Sequence, residues 1–218
     1  MTIHPLLPLV VLLLSIGILS AEETKSANSM FEDKYRSFSP PELQSKQFNH
    51  YLYGETTRLI QEKKYEEALL RLRWFWDHIL EYQQAQYGVR LSFALHIWKQ
   101  LADVYPPALQ ELRSLRDKSE QRAATNANAF HDFLSLNEIL NENPKSIAFF
   151  KELMKKSPKQ AKKFYHYIDR GMIAAKEFKI AMEYGGSPAE RWKKLMPSVQ
   201  ADVSEAQARA VLSYRYKE

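Results

Sequence analysis

The chain has 218 residues, with ten prolines, six glycines and no cysteine. The lack of cysteine excludes disulfide bonds, thiolate chemistry, a lipid-modified N-terminal cysteine and any zinc site built on cysteine. Basic and acidic residues number 31 and 26, giving a net charge of +5. That small excess is typical of solvated helix faces, so we predict no nucleic-acid partner.

Residues 1–21 have the pattern of a secretory signal peptide. The run Leu6–Leu19 is almost entirely apolar and spans 14 residues, and Ala21 is a plausible residue before a cleavage point. A membrane-spanning helix needs roughly 20 apolar residues, so this run is short for that role. We therefore predict export to the periplasm or cell envelope of a bacterium. The alternative is an uncleaved N-terminal anchor, the one membrane contact that the sequence suggests.

Polar residues dominate 22–39, which predicts a flexible leader. Residues 40–186 follow as a helical domain that begins with Pro40 and Pro41, since proline suits the first turn of a helix. Within this domain we predict helices over 40–63, 65–83, 89–105, 106–121, 126–140, 145–156, 158–176 and 178–184. Gly88 is expected to break the chain before the third helix.

Residues 187–218 differ from the preceding domain and predict atypical C-terminal capping helices. Ser187 and Pro188 are typical of the N-cap and first position of a helix, and Glu190 places an acidic residue in its first turn. A helix here would close the end of a helical stack.

One short sequence pattern, an aromatic residue followed three positions later by alanine, occurs twice. Tyr65 is followed three positions later by Ala68, and Phe178 by Ala181, each at the start of a predicted helix. Turns near 64, 106, 143 and 177 recur at or somewhat above the roughly 34-residue tetratricopeptide period. We therefore predict an all-α, tetratricopeptide-like helical repeat, an alpha-alpha superhelix, with an irregular helical bundle as the alternative. The aromatic and alanine side chains of this sequence pattern should pack between paired helices and hold them together.

His78 is the histidine most suggestive of chemistry. Trp74 and Tyr82 lie four positions to either side of it, and Glu81 three positions on could tune a general base. A histidine packed between aromatic rings, or half exposed, is the favoured interpretation. Three other histidines show no helical metal-ligand spacing: His96, His131 and His166. We predict no catalytic residue, metal site or cofactor, and regard an enzyme as less favoured.

The segment from Arg71 to Trp76 combines the residue types that dominate protein interfaces. Arg71 and Trp74 lie off the main apolar stripe, so we expect them on a presented surface. Trp76 falls on the stripe and should be core. Arg73 should pair with Asp77 four positions on in a surface ion pair that contributes little.

The residues Trp74-Phe75, His78 and Leu80-Glu81, followed by Tyr87 through Leu95, resemble a bacterial tetratricopeptide-repeat-like family of uncharacterised function. Fainter matches occur at Tyr105-Pro106, His131-Asp132 and 149–153, so the resemblance covers about residues 60–185. It implies a helical repeat with a binding role and supplies no catalytic residues. The family often has histidine where this chain has Trp76. Arg90 is the charged residue of the most specific stretch, and could anchor a partner carboxylate or fix the preceding turn.

These observations predict an exported helical-repeat scaffold that binds a protein or peptide. Its candidate binding residues are Arg71, Trp74, His78 and Arg90. The alternative is an envelope enzyme or small-ligand carrier with an inter-helix pocket near His78. A third hypothesis is a structural envelope component that assembles by stacking its ends.

Overall fold

The structure, a computed structural model, describes Phe31, residues 33–38 and residues 54–191. The chain divides into two compact units, residues 1–41 and 42–218. In the first, residues 33–37 are helical and the rings of Phe31 and Tyr35 stack with centroids 6.4 Å apart. The predicted signal peptide and leader fall almost entirely outside the described residues. No helix within the described ranges is both long and apolar enough to cross a membrane.

The second unit is all-α throughout its described residues. Its helices are α1 Thr56–Gln61, α2 Tyr65–Tyr82, α3 Tyr87–Leu91, α4 Phe93–Ala102, α5 Pro106–Ala123, α6 Ala127–Ile139, α7 Asn143–Lys156, α8 Pro158–Ala174 and α9 Phe178–Gly185. A short 3₁₀ helix, Gln84–Gln86, joins α2 to α3. The all-α prediction is therefore confirmed for the described residues. Residues 40–53 of the first predicted helix lie outside them.

The helix predicted over 89–105 is divided in two. Gly88 lies inside α3 instead of ending it, and the break falls at Ser92 between α3 and α4. The Ser92 hydroxyl donates a 2.6 Å hydrogen bond to the Gly88 carbonyl. A serine that bonds back to the preceding turn competes with the helical backbone, which accounts for a break at this position. The glycine prediction was wrong because a glycine within a helix lowers stability without necessarily ending the helix.

Within residues 54–191 the helices form four hairpins, α1–α2, α4–α5, α6–α7 and α8–α9. The first helices of successive hairpins pack together, α1 on α4, α4 on α6 and α6 on α8, and we call them the first-helix layer. Each second helix packs on the first helix of the next hairpin, α2 on α4, α5 on α6 and α7 on α8. The short α3 is an insertion that also contacts α6. This recurring contact pattern is like that of helical-repeat proteins.

Three hairpin turns have the same backbone. Lys63, Asn141 and Lys176 are left-handed, with φ of 60°, 57° and 61°. After each of them, one N–H reaches back five residues to a carbonyl. These bonds are Lys64 to Leu59 at 2.9 Å, Glu142 to Asn137 at 2.7 Å and Glu177 to Met172 at 2.9 Å. This is the Schellman arrangement, which satisfies carbonyls at the end of a helix. Asn141 and Lys176 are 35 positions apart, so the turns mark a structural repeat.

The position five residues after each left-handed residue is small and buried. It is occupied by Ala68, Ser146 and Ala181. The predicted packing role of both alanines is confirmed. Tyr65 is half-buried against the tyrosine that precedes α5, with ring centroids 5.7 Å apart. Phe178 is 56% exposed, so its predicted packing role is wrong. Backbone hydrogen bonds stabilise this turn, so a buried aromatic side chain is not required there.

Ion pairs join neighbouring hairpins at two of these turns. Arg116 of α5 donates to Glu142, and Lys151 of α7 donates to Glu177 at 2.5 Å. Each glutamate directly follows the left-handed residue of its turn, and each cation precedes its glutamate by 26 positions. An ion pair at the equivalent position therefore links one hairpin to the next in both places.

The described chain ends with a capped helical turn. Ser187 Oγ accepts from the N–H of Glu190 at 3.3 Å, and Glu190 Oε2 accepts from the N–H of Ser187 at 2.7 Å. This reciprocal arrangement is a capping box, and the predicted N-cap is confirmed. Arg191 then donates to the Gly186 carbonyl at 3.0 Å and to Asp169 at 2.8 Å, which fixes the turn against α8.

Candidate functional site

Trp74 is part of the packed interior of α2, contrary to its predicted place on a presented surface. It is 6% exposed, and its ring lies between those of His78 and Tyr82, with centroids 5.6 Å from each. Trp74 was expected to be exposed because it lies off the apolar stripe of the helix, but the rings of His78 and Tyr82 cover its indole. Arg71, on the same helix, is half-buried. These two side chains therefore do not form the exposed pair that the sequence suggested.

His78 contacts a carboxylate, as the alternative hypothesis required, but the contact is open to solvent. His78 Nδ1 lies 3.3 Å from Glu81 Oε1, and the two side chains are 38% and 66% exposed. Water screens such a pair and leaves both groups mobile. The contact therefore has neither the enclosure nor the desolvation that a general base needs.

Arg73 forms an interhelical contact instead of the predicted surface ion pair. It is 7% exposed and donates from Nε to Asp77 at 2.7 Å, as the spacing indicated. It also donates from Nη1 to Glu111 of α5. Because charged groups at this depth must be paired, Arg73 and Glu111 fix α2 and α5 relative to each other.

Arg90 is buried between α3 and α6 and cannot anchor a partner carboxylate. It is 4% exposed and donates from Nη2 to Asp132 of α6. Its guanidinium carbon lies 4.1 Å from the centroid of the Trp76 ring, a cation–π contact. Trp76 is itself buried, which confirms its predicted core position. Burial raises the pKa of Asp132, and the Arg90 charge partly opposes that shift.

Four rings on α3, α6 and α8 form a continuous row, which we call the ring row. Its members are Tyr87, His131, His166 and Tyr167. The Tyr87 hydroxyl lies 3.1 Å from His131 Nδ1, and the His131 ring centroid lies 4.8 Å from that of Tyr167. His166 and Tyr167 are 3.9 Å apart between centroids. Tyr87, His131 and Tyr167 are half-buried and His166 is exposed, so part of each ring faces solvent.

The protonation of the ring row follows from burial. Burial raises the pKa of Tyr87 to about 12, so its hydroxyl stays protonated beside His131 Nδ1. Burial lowers the pKa of His131, and the nearby charges of Arg90 and His166 lower it further. His131 is therefore a neutral imidazole at neutral pH. The buried Arg90–Asp132 pair adjoins the ring row, with the Arg90 guanidinium carbon 5.7 Å from the centroid of the Tyr87 ring.

A groove of about 810 Å³ adjoins the ring row, and we call it the α6–α8 groove. It is bounded by α6, α7 and α8, and Tyr167 belongs to both features. Leu134, Ile147 and Gly171 contribute apolar surface, while Arg170 contributes a cation. Its volume is within the range of roughly 300–1,000 Å³ typical of ligand sites. Together the ring row and this groove form what we call the binding face.

A second groove, of about 750 Å³, lies between α5 and α7. Charged side chains of both signs line it, among them Asp117, Glu120, Lys145 and Glu152. Its lining lacks the cluster of half-exposed rings found on the binding face. Within the described ranges, histidines and carboxylates do not gather into a group of three or more that could hold a metal ion.

Sequence reasoning missed the ring row. Tyr87 and His131 are 44 positions apart, and only the packing of α3 on α6 brings them together. His131-Asp132 appeared in the sequence as a faint part of the family resemblance, without a role. In comparisons with known proteins, no family model, curated protein or solved structure matches this chain.

Proposed function

We propose that this chain is a tetratricopeptide-like scaffold that binds a protein or peptide partner through the binding face. The observation that supports the proposal is the continuity of half-exposed rings with a largely apolar groove at Tyr167. The shared backbone of the three left-handed turns, two of them 35 positions apart, supports the tetratricopeptide-like assignment. The bacterial envelope is the setting that we propose from the predicted signal peptide.

Aromatic rings with polar edges suit protein recognition. They bury a large area when a partner binds, and they lose little side-chain freedom because few torsions are involved. In the ring row, the hydrogen bond between Tyr87 and His131 orders two of the rings before any partner arrives. Such preorganisation reduces the entropy lost on binding.

The rigid support beneath the ring row favours the same function. Arg90 and Asp132 are buried side by side and join α3 to α6, so the Tyr87 and His131 rings stand on two helices held in a fixed relation. The inserted α3 thus has a positional role. It brings a ring to the first-helix layer that the regular hairpins do not supply.

Affinity capture tests the proposal. The protein without residues 1–21 is immobilised and exposed to envelope extract of its source organism, in parallel with the variant Tyr167→Ala. We expect the variant to recover the partner at least ~10-fold less, because removal of a central aromatic anchor typically costs about 2 kcal/mol or more.

The matched control is Phe93→Ala, an aromatic truncation at a 58% exposed position that does not line either part of the binding face. It should capture the partner as well as the unmodified protein does. Circular dichroism melts confirm that both variants are folded. Equal recovery by Tyr167→Ala and the unmodified protein would contradict the proposal.

A further inference from the structure

Positive charge is concentrated on α7 and α8, two of the three helices that bound the α6–α8 groove. Helices α7 and α8, residues 143–174, contain eight lysine or arginine residues and two carboxylates. Helices α5 and α6, residues 106–139, together contain four lysine or arginine residues and five carboxylates. Two adjacent pairs of helices of similar size thus differ strongly in charge, and both helices of the basic pair line the groove together with α6.

Three basic side chains of α8 share one exposed stripe. Lys163, His166 and Arg170 are spaced three and four positions apart, so they lie on the same helix face, next to Tyr167. All three are exposed, and Arg170 lines the groove itself. The groove thus has a cationic rim beside its ring row.

Among residues 54–191, carboxylates do not pair with Lys163 or Arg170 of this rim. Glu152 is held by Lys155 at 2.8 Å, and Asp169 by Arg191 at 2.8 Å. Glu138 lines the groove from its α6 side and is the opposing charge on that wall. A ligand that lies along α8 would therefore meet uncompensated positive charge, with carboxylate repulsion confined to the opposite wall.

We propose that the α6–α8 groove binds an acidic, amphipathic peptide segment of a partner protein. Apolar side chains of the segment would pack on Leu134, Ile147 and Tyr167, while its carboxylates would pair with Lys163 and Arg170. A groove of about 810 Å³ accommodates a few side chains, which fits a segment better than a whole domain. This inference rests on the proposed binding face and specifies the chemistry of its partner.

The test uses three fluorescent peptides with one leucine pattern at helical spacing and glutamate, glutamine or lysine elsewhere. Fluorescence anisotropy measures their binding to the protein without residues 1–21. We expect the glutamate peptide to bind at least ~10-fold more tightly than the other two, and its affinity to fall as salt is raised, because exposed charges are screened.

Charge-reversal variants locate the site. Lys163→Glu/Arg170→Glu should weaken binding of the glutamate peptide at least ~10-fold. The matched control is Lys118→Glu/Lys179→Glu, which makes the same change in net charge at exposed positions on α5 and α9. It should leave the affinity within about twofold, because neither lysine lines the groove and exposed charges are screened by salt.

Several outcomes overturn the inference. These are equal affinity for the three peptides, equal weakening in the two double variants, and no binding of the glutamate peptide at about 1 mM. Stronger binding to vesicles containing phosphatidylglycerol than to the glutamate peptide would assign the cationic rim to a membrane surface.

Tyr167→Ala separates the failure of this inference from the failure of the proposed function. If the three peptides bind the unmodified protein equally and Tyr167→Ala abolishes their binding, the proposed binding face is retained and only its preference for acidic segments fails. If it has no effect, the binding face itself fails.

Discussion

Both regions of the described helical unit have a buried apolar core, but they differ in what accompanies it. From α2 to α6, buried arginines link helices through Arg73–Glu111 and Arg90–Asp132. From α6 to α9, aromatic rings make the core, with Phe130 and Phe164 stacked 5.2 Å apart between centroids. Phe150 packs within the same cluster, 6.0 Å from Tyr165.

The difference matters because the two interactions respond differently to change. A buried ion pair needs specific geometry, since an unpaired charge in the interior is costly. Ring packing is less directional and depends on the apolar area removed from water. In this protein a buried ion pair fixes α3 on α6, whereas the core of the aromatic region consists of ring contacts. The binding face lies where the two regions meet.

The largest expected effect comes from breaking the deepest ion pair. Arg90→Met leaves Asp132 buried without its cation and removes the contact with Trp76. We expect the free energy of unfolding to fall by about 3–5 kcal/mol. Urea denaturation monitored by circular dichroism measures it.

The double variant Arg90→Met/Asp132→Leu should recover most of that loss, because it leaves no unpaired charge. Arg58→Met is the surface control, since Arg58 is solvent-exposed in its pairs with Glu55 and Glu62, and it should cause little change. A small loss in Arg90→Met would show that the ion pair does not distinguish this region from the aromatic one.

A smaller effect is expected from the aromatic region. Phe150→Leu keeps an apolar side chain and removes part of the ring volume, so we expect a loss of about 1–2 kcal/mol that does not change with salt. Phe93→Leu, at an exposed position, should stay within about 0.5 kcal/mol. A salt-dependent loss in Phe150→Leu would mean that charge contributes to this core as well.

The smallest effect concerns pH, at the junction of the two regions. The pKa of His131 is lowered in the folded protein, so the unfolded chain binds more protons once the pH falls to the ordinary histidine range near about 6.5. The stability that neutral His131 contributes is therefore full above that pH and decreases below it. We expect His131→Asn to lose less stability than the unmodified protein between pH 7.5 and 5.5. An identical pH dependence in urea denaturation would refute this.

Local signals in the sequence predicted most of the helices. Pro106 and Pro158 begin helices where expected, and Asn141 occupies a left-handed turn as its residue type favours. Ser187 and Glu190 form the capping box that their spacing suggested. These features depend on neighbours within a few residues, which is why a sequence pattern reports them.

The candidate site depended on tertiary contacts that no local pattern reports. Trp74 and Arg73 were misplaced because their exposure is set by flanking rings in one case and by Glu111 of α5 in the other. Arg90 could not be assigned before Asp132 was known to face it. Periodicity identifies the apolar side of a helix but not what lies opposite its polar side.

The ion pairs at the repeated turns bear on how the protein opens. Arg116–Glu142 and Lys151–Glu177 each join a second helix to the turn of the following hairpin. Opening of one hairpin therefore also breaks an ion pair with its neighbour, and the more buried pair, Arg116–Glu142, should couple their opening more strongly than Lys151–Glu177. Amide hydrogen exchange should then show α5 through α9 protected as one cooperative unit, rather than a stepwise gradient from one end.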